Sequence, residues 1–192
     1  MVLTLVTTNK HKFEEITDIL KPFSIELSWL NRKYDEDNDY AIQEIAKMAA
    51  KKLADELKTP IVLEDTGLFL EAYPGFPGPG PKFAINTLGY KGFFKLLQGE
   101  SPNAYFQTFA AYCEPGKEPL TFEGRMDGYF IDEIRNPNKD MMPYDHFFVP
   151  KGYGNKTLSE ISMQEKSSIS QRGEAFRKLG EYLNIQNTDK NR

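Results

Sequence analysis

The sequence predicts an α/β fold, a single domain with a mixed β-sheet flanked by helices. Short apolar or alternating runs, "LTLV" (3–6), "PIVLE" (60–64) and "AYFQTFAAYC" (104–113), have the length and composition of strands. Apolar residues at three- and four-residue spacing separate the early strands and mark helix faces. The resulting order, βαβαβ and then a run of strands and a helical C-terminal third, suggests a mixed sheet.

The elements follow in chain order. Leu3, Leu5 and Val6 form a strand, and Phe13, Ile16, Ile19 and Leu20 lie on one face of the helix after it. Ile25 to Trp29 reads as a short strand, followed by an acidic loop at 31–39. Ile42, Ile45, Ala46, Ala49, Leu53 and Leu57 share a face of a helix from about Ala41 to Lys58. The strand Ile61 to Leu63 ends in two carboxylates, Glu64 and Asp65, with a turn at Gly67. "EAYPGFPGPGPKF" reads as a stiff loop, because Pro and Gly suit neither a helix interior nor a central strand. Helical turns are expected over 82–88 and 92–97, and strands over 104–113, 120–125, 129–134 and 147–149. Ser162 and Glu165 form a capping box, a helix runs from about Gln171 to Leu183, and "NIQNTDKNR" is a frayed polar tail.

The 192 residues, 40% hydrophobic and 27% charged, suit a soluble globular protein. A net charge of -4 provides no general attraction for nucleic acid, so an anionic ligand must be held by local placement. Cys113 stands alone, which excludes an intrachain disulfide and suits a reducing interior. Two histidines and one cysteine leave little for a zinc site, so a metal here would have oxygen ligands. No N-terminal signal and no apolar stretch near ~18 residues is visible, and the expectation is a cytoplasmic protein with no membrane partner.

Four stretches carry chemistry. Thr7-Thr8-Asn9-Lys10-His11-Lys12 joins strand to helix without Gly, and a helix N-terminus with nearby cations can hold phosphate. On this stretch alone the simpler reading is that Asn9 is a helix cap with both lysines in water. The Glu64-Asp65 pair at a strand end can hold Mg²⁺ or polarise a water, or Asp65 can cap a turn before Gly67. "FPGPGPK" is a rigid elbow, a polyproline-type partner ligand or an arm aiming Lys82 at an anion. "EKSSISQR" brings Lys166, Ser170, Gln171 and Arg172 together as a phosphate clamp or an exposed basic face. Their coincidence suits Mg²⁺ and polyphosphate.

Three blocks in this order resemble the inosine/xanthosine triphosphate pyrophosphatases, the Ham1-like family, over Leu3 to about Leu183. "TTNKHKFEE" is similar to the family's T-x-N-x-x-K-x-x-E, and "EDTGLFLEAYPGFPGPGPKF" to its central signature. "YDHFFVPKG" with "TLSEISMQEKSSISQRGEAFRKL" resembles its C-terminal block. The resemblance implies an elongated, strongly twisted mixed sheet with two helical lobes and a central cleft, usually in a homodimer. It implies Mg²⁺-dependent cleavage of non-standard purine nucleoside triphosphates (ITP, dITP, XTP) to monophosphate and pyrophosphate. By position, Thr7, Thr8, Asn9, Lys10, His11 and Lys12 line the triphosphate loop. Asp65 binds Mg²⁺ and activates water, Glu36 and Glu64 are further metal carboxylates, and Thr66 touches substrate. Lys82 and Lys166 meet phosphates, while Met142, Pro143, Tyr144, Asp145, Gln171 and Arg172 belong to the base pocket. An Asp side chain, with an ordinary pKa of about 4, is ionised at pH 7 and can orient water.

Some positions depart from the family pattern. Met142-Pro143 replaces Phe-Gly, His146 replaces Pro, Gln171 replaces His, and Ala49 stands where many members have Lys. A Phe stacks on a purine face where Met packs loosely, so the phosphate half is retained and the base half altered. Two alternatives are a Maf-like pyrophosphatase acting on modified pyrimidine nucleotides and a nucleotide-binding protein without turnover.

Overall fold

A computed structural model describes residues 2–35 and 40–190, with residues 187–190 described by backbone only. The strands are β1 (Val2–Val6), β2 (Glu26–Leu30), β3 (Ile61–Leu70), β4 (Tyr73–Gly78), β5 (Asn103–Cys113), β6 (Leu120–Phe130) and β7 (Phe148–Pro150). The helices are α1 (Lys10–Leu20), α2 (Ile42–Leu57), α3 (Pro81–Leu97), α4 (Met163–Ile169) and α5 (Gln171–Lys190). The sheet runs β2-β1-β3-β5-β6-β7, with β4 paired to β3 off this path. β1 is parallel to β2 and β3, whereas the β3, β5, β6 and β7 pairings are antiparallel. The mixed α/β sheet is therefore as expected.

Alternation along the strands builds a core on each face. Leu3, Leu5 and Val62 pack with Ile16 and Leu20 of α1 and Phe176 and Leu179 of α5. Val6, Ile61, Leu63 and Cys113 face the small residues Ala46, Ala50 and Ala54 of α2. A third, aromatic core lies farther along, where Phe93, Phe106, Phe130, Tyr144, Phe147 and Phe148 meet mostly edge to face. That geometry places positive ring edges on negative ring faces.

Several elements differ from the sequence reading. β3 does not stop at Leu63 but continues through both carboxylates to Leu70. Gly67 is a strand residue: a Cβ there would lie 2.7 Å from Ile42 Cδ1, so its bareness lets the start of α2 approach. The Pro/Gly segment contains β4, a short strand that among the described residues pairs with β3 alone, an edge position of the kind in which Pro is tolerated. The two strands expected over 120–134 are one, β6, since Asp127 and Gly128 continue the ladder with β5 instead of turning. The helix expected to end at Leu183 continues in backbone to Lys190. The break between the two helical turns of α3 falls at Gly89, with φ 61°.

Candidate active site

The two sides of β3 are covered differently. β5 pairs with it from Ile61 to Leu70. On its other edge β1 pairs only at Ile61 and Val62, and β4 only at Leu68 to Leu70. Among the described residues, no strand covers that edge from Leu63 to Gly67. Glu64 and Asp65 sit in this gap, 2% and 5% exposed. Successive strand side chains alternate, so they project to opposite faces. Glu64 meets α1 and α5, while Asp65 shares its face with Gly67 and the start of α2. The carboxylates thus belong to an internal gap in the sheet and not to a strand end.

The β1–α1 loop points into this gap. Asn9 caps α1, its Oδ1 accepting from the N–H groups of His11 at 2.9 Å and Lys12 at 3.3 Å. The Thr7 hydroxyl accepts from Asn9 N–H at 3.1 Å. The capping reading of Asn9 holds, and two first-turn amides are occupied by its side chain. The Asn9 amide also donates to Met142 Sδ at 3.6 Å, and His11 Nε2 lies 3.2 Å from Asp140. These contacts bring the Met142 segment over the loop. Thr8 and Lys10 lie outward, with Lys10 paired to Glu14 on the exposed side of α1.

Within the gap, six charged groups alternate in sign. Lys12 Nζ lies 2.9 Å from Glu64 Oε1. Arg172 holds Glu64 through Nε and Nη2, both at 2.9 Å, and holds Glu15 through Nη1 at 2.7 Å. Lys166 lies 4.0 Å from Glu15 and 2.7 Å from Asp145. Burial alone pushes the Glu64 carboxyl up, but Arg172 and Lys12 overcome it and hold it down to about 2. Burial likewise disfavours the Arg172 cation, and Glu64 and Glu15 more than offset that, so it stays charged. Thr66 completes this side, its hydroxyl 2.6 Å from that of Thr108 and 3.4 Å from Glu64.

The expected residues divide into those gathered here and those placed elsewhere. Lys12, Glu64, Thr66, Asp145, Lys166 and Arg172 gather on one face of the gap, and Asp65 lies beside them in β3 but projects to the opposite face. Glu64, expected as a metal ligand, has both oxygens engaged by Arg172 and Lys12 and serves as their anchor. Arg172, expected at the base, is buried between two carboxylates instead. Tyr144 packs in the aromatic core and donates to the Pro81 carbonyl at 2.8 Å. Pro143 is exposed, and Gln171 is buried with Oε1 lacking a partner among the described residues. Lys82 is exposed at the start of α3 and makes no ion pair with the described residues. Glu36 lies outside the described residues. His146 anchors a loop through Arg135 O at 3.0 Å, and Ala49 is part of the core under α2.

Glu15, the closing acid of the T-x-N-x-x-K-x-x-E block, is the gathered residue to which the sequence reading assigned no role. Its signal was present: an acid three residues after Lys12, beside Ile16 and one turn before Ile19, on the buried stripe of α1. A buried carboxylate there requires a cationic partner.

Oxygen donors suit Mg²⁺, which takes one or two carboxylates and otherwise keeps water and substrate phosphates. Among the described residues no cluster of three His, Cys, Asp or Glu could hold a metal alone. Asp65 at the open edge fits that sparse donor pattern.

The chain resembles known proteins over nearly its whole length. A sequence model of the Ham1 family matches residues 3–182. The dITP/XTP pyrophosphatase of Methanopyrus kandleri is 36% identical over 183 residues, covering 95% of this chain and 96% of its own. That of Methanosarcina acetivorans is 38% identical over 182 residues, covering 94% and 96%. Among solved structures, a HAM1 protein from Coxiella burnetii matches with TM-score 0.79 at 24% identity, covering 95% of this chain and 98% of that one. The Staphylococcus aureus Ham1 protein matches with TM-score 0.76 at 20% identity, covering 97% and 100%, and these two likenesses concern the fold. The protein is a mixed α/β protein with a charged gap in its sheet. The chain belongs to the Ham1 family. No helix among the described residues is long and apolar enough to cross a membrane.

Proposed function

We propose that this protein is a Mg²⁺-dependent nucleoside triphosphate pyrophosphatase that cleaves dITP, ITP and XTP to the monophosphate and pyrophosphate. The observation that carries the reading is the uncovered edge of β3, with Asp65 on one face and, on the other, Lys12 paired to Glu64 and Lys166 joined to that pair through Glu15 and Arg172. The dITP/XTP pyrophosphatase relatives named above, alike over nearly their whole length, support the substrate class.

In this reading Asp65 orients a water toward the α-phosphorus, its backbone fixed by the β5 ladder through Phe109. Lys12, Lys166 and Lys82 receive the charge that develops on the departing pyrophosphate. Asp65, with Glu36 from the acidic loop, would hold Mg²⁺. When bound, the ion neutralises phosphate oxygens and makes the attacking water more acidic. Met142, held over the loop by Asn9, and Gln171 belong to the base side. The reading extends to one domain over residues 1–192, acting in the cytoplasm as a homodimer.

The test is pyrophosphate release with Mg²⁺ from dITP, ITP, XTP, ATP, GTP, CTP and dUTP. Release confined to dITP, ITP and XTP, whose bases carry neither the 6-amino group of ATP nor the 2-amino group of GTP, is expected. Release from pyrimidine nucleotides alone would move the assignment to a different substrate class, and release from none would remove the enzymatic reading.

A further inference from the structure

We propose that Glu15 is a positioning residue for phosphate binding, setting Lys12 and Lys166 relative to each other by tying the α4–α5 junction to α1. This rests on the reading that those two lysines meet substrate phosphates. Glu15 reaches three residues of that junction. Its Oε2 accepts from Arg172 Nη1 at 2.7 Å and lies 4.0 Å from Lys166 Nζ, and its Oε1 accepts from Ser170 Oγ at 3.4 Å. All three partners belong to α4, α5 or the residue between them. Glu15 itself lies one turn after Lys12 on α1, so one carboxylate links the helix that carries the first lysine to the segment that carries the second.

The link to Lys12 also runs through the charges. Arg172 grips Glu64 with two donors of its rigid fork, and Glu64 in turn holds Lys12. Of the six groups from Lys12 to Asp145, Lys12 is the most exposed, with 24% of its side chain accessible against 7% or less for the others. Lys12 can therefore exchange Glu64 for a phosphate while Arg172 keeps the buried Glu64 paired. Glu15 gives Arg172 its second anchor, and without it the fork has only one.

Charge alone and positioning make opposite predictions. Neutralising Glu15 adds one net positive charge near the site, which by itself tightens polyanion binding. Loss of a positioning contact loosens it.

The experiment is calorimetric titration with inorganic triphosphate of the parent, Glu15→Gln and Glu15→Asp, with folding followed by circular dichroism. The expected result is about tenfold weaker binding for Glu15→Gln, at least about threefold of it recovered in Glu15→Asp. The Glu15→Gln loss should shrink to about threefold or less in a Lys12→Met background and persist in a Lys82→Met background, because Lys82 lies outside the charged chain. Unchanged or tighter binding by Glu15→Gln, or equal losses in both backgrounds, would overturn the proposal. Should Glu15→Gln not fold, Glu15→Asp decides: weaker binding than the parent supports positioning, and equal or tighter binding overturns it. Turnover of dITP by the parent is measured alongside; its absence counts against the assigned reaction, while triphosphate binding still decides the role of Glu15.

Discussion

Arg172 and Glu64 form a buried, two-pronged ion pair, Nε to Oε2 and Nη2 to Oε1, both at 2.9 Å. The pair joins the first turn of α5 to the uncovered edge of β3, and both residues are almost wholly buried. Breaking such a pair by removing one partner costs about 3–5 kcal/mol, because the other charge is left in the interior.

Glu64 therefore makes stability depend on pH. Its folded carboxyl is held down to about 2 from an ordinary 4.5. A depressed folded value contributes stability that is present above the unfolded pKa and lost as pH falls through the folded one. The contribution is about 3 kcal/mol at neutral pH, disappearing between about pH 5 and pH 2. Urea unfolding at pH 7 and pH 3 measures it. The pH 3 value should lie well below the pH 7 value, and Glu64→Gln should flatten the difference while lowering stability at pH 7.

Asp65→Asn keeps the shape of the side chain and removes its charge. Turnover of dITP should fall by about 10²-fold or more, with the melting temperature within a few degrees of the parent. Parent-level turnover would show that another group orients the water.

Met142→Phe supplies a flat ring where the Asn9 amide now meets a flexible thioether. Stacking on a purine contributes about 1 kcal/mol. The ratio kcat/KM for dITP should therefore rise by about fivefold, read from steady-state kinetics across a nucleotide panel.

Gly124→Ala tests the seating of α5. A Cβ there would overlap the Gln171 carbonyl and crowd Ala175 N, which are backbone atoms with little freedom to move. Destabilisation of about 1–3 kcal/mol or more is expected, together with weakened dITP turnover, since α5 carries Arg172. A urea midpoint equal to the parent's would contradict the close approach.

Much of this was legible in the sequence because its signals were local. The helix periodicity of α1 and α2, the capping box at Ser162 and the strand pattern of β5 each reside in one short stretch. What stayed hidden depends on pairing at a distance. Nothing around Glu64 and Asp65 says that β5 will carry the strand past them, or that β1 and β4 will leave its other edge open. Arg172 reads as a surface cation beside Lys166 until Glu15 and Glu64 arrive from 157 and 108 residues away. The motif blocks identified several of the residues that gather, Lys12, Glu64, Thr66, Lys166 and Arg172 among them, but not Glu15's part in the cluster or which charges neutralise one another.

The most direct test of the central assignment is hydrolysis of dITP with Mg²⁺ in ¹⁸O-labelled water, followed by mass spectrometry of both products. Attack at the α-phosphorus, directed from the open edge of β3, places the label in dIMP and leaves pyrophosphate unlabelled. Label in pyrophosphate or free phosphate, or no products at all, would contradict it.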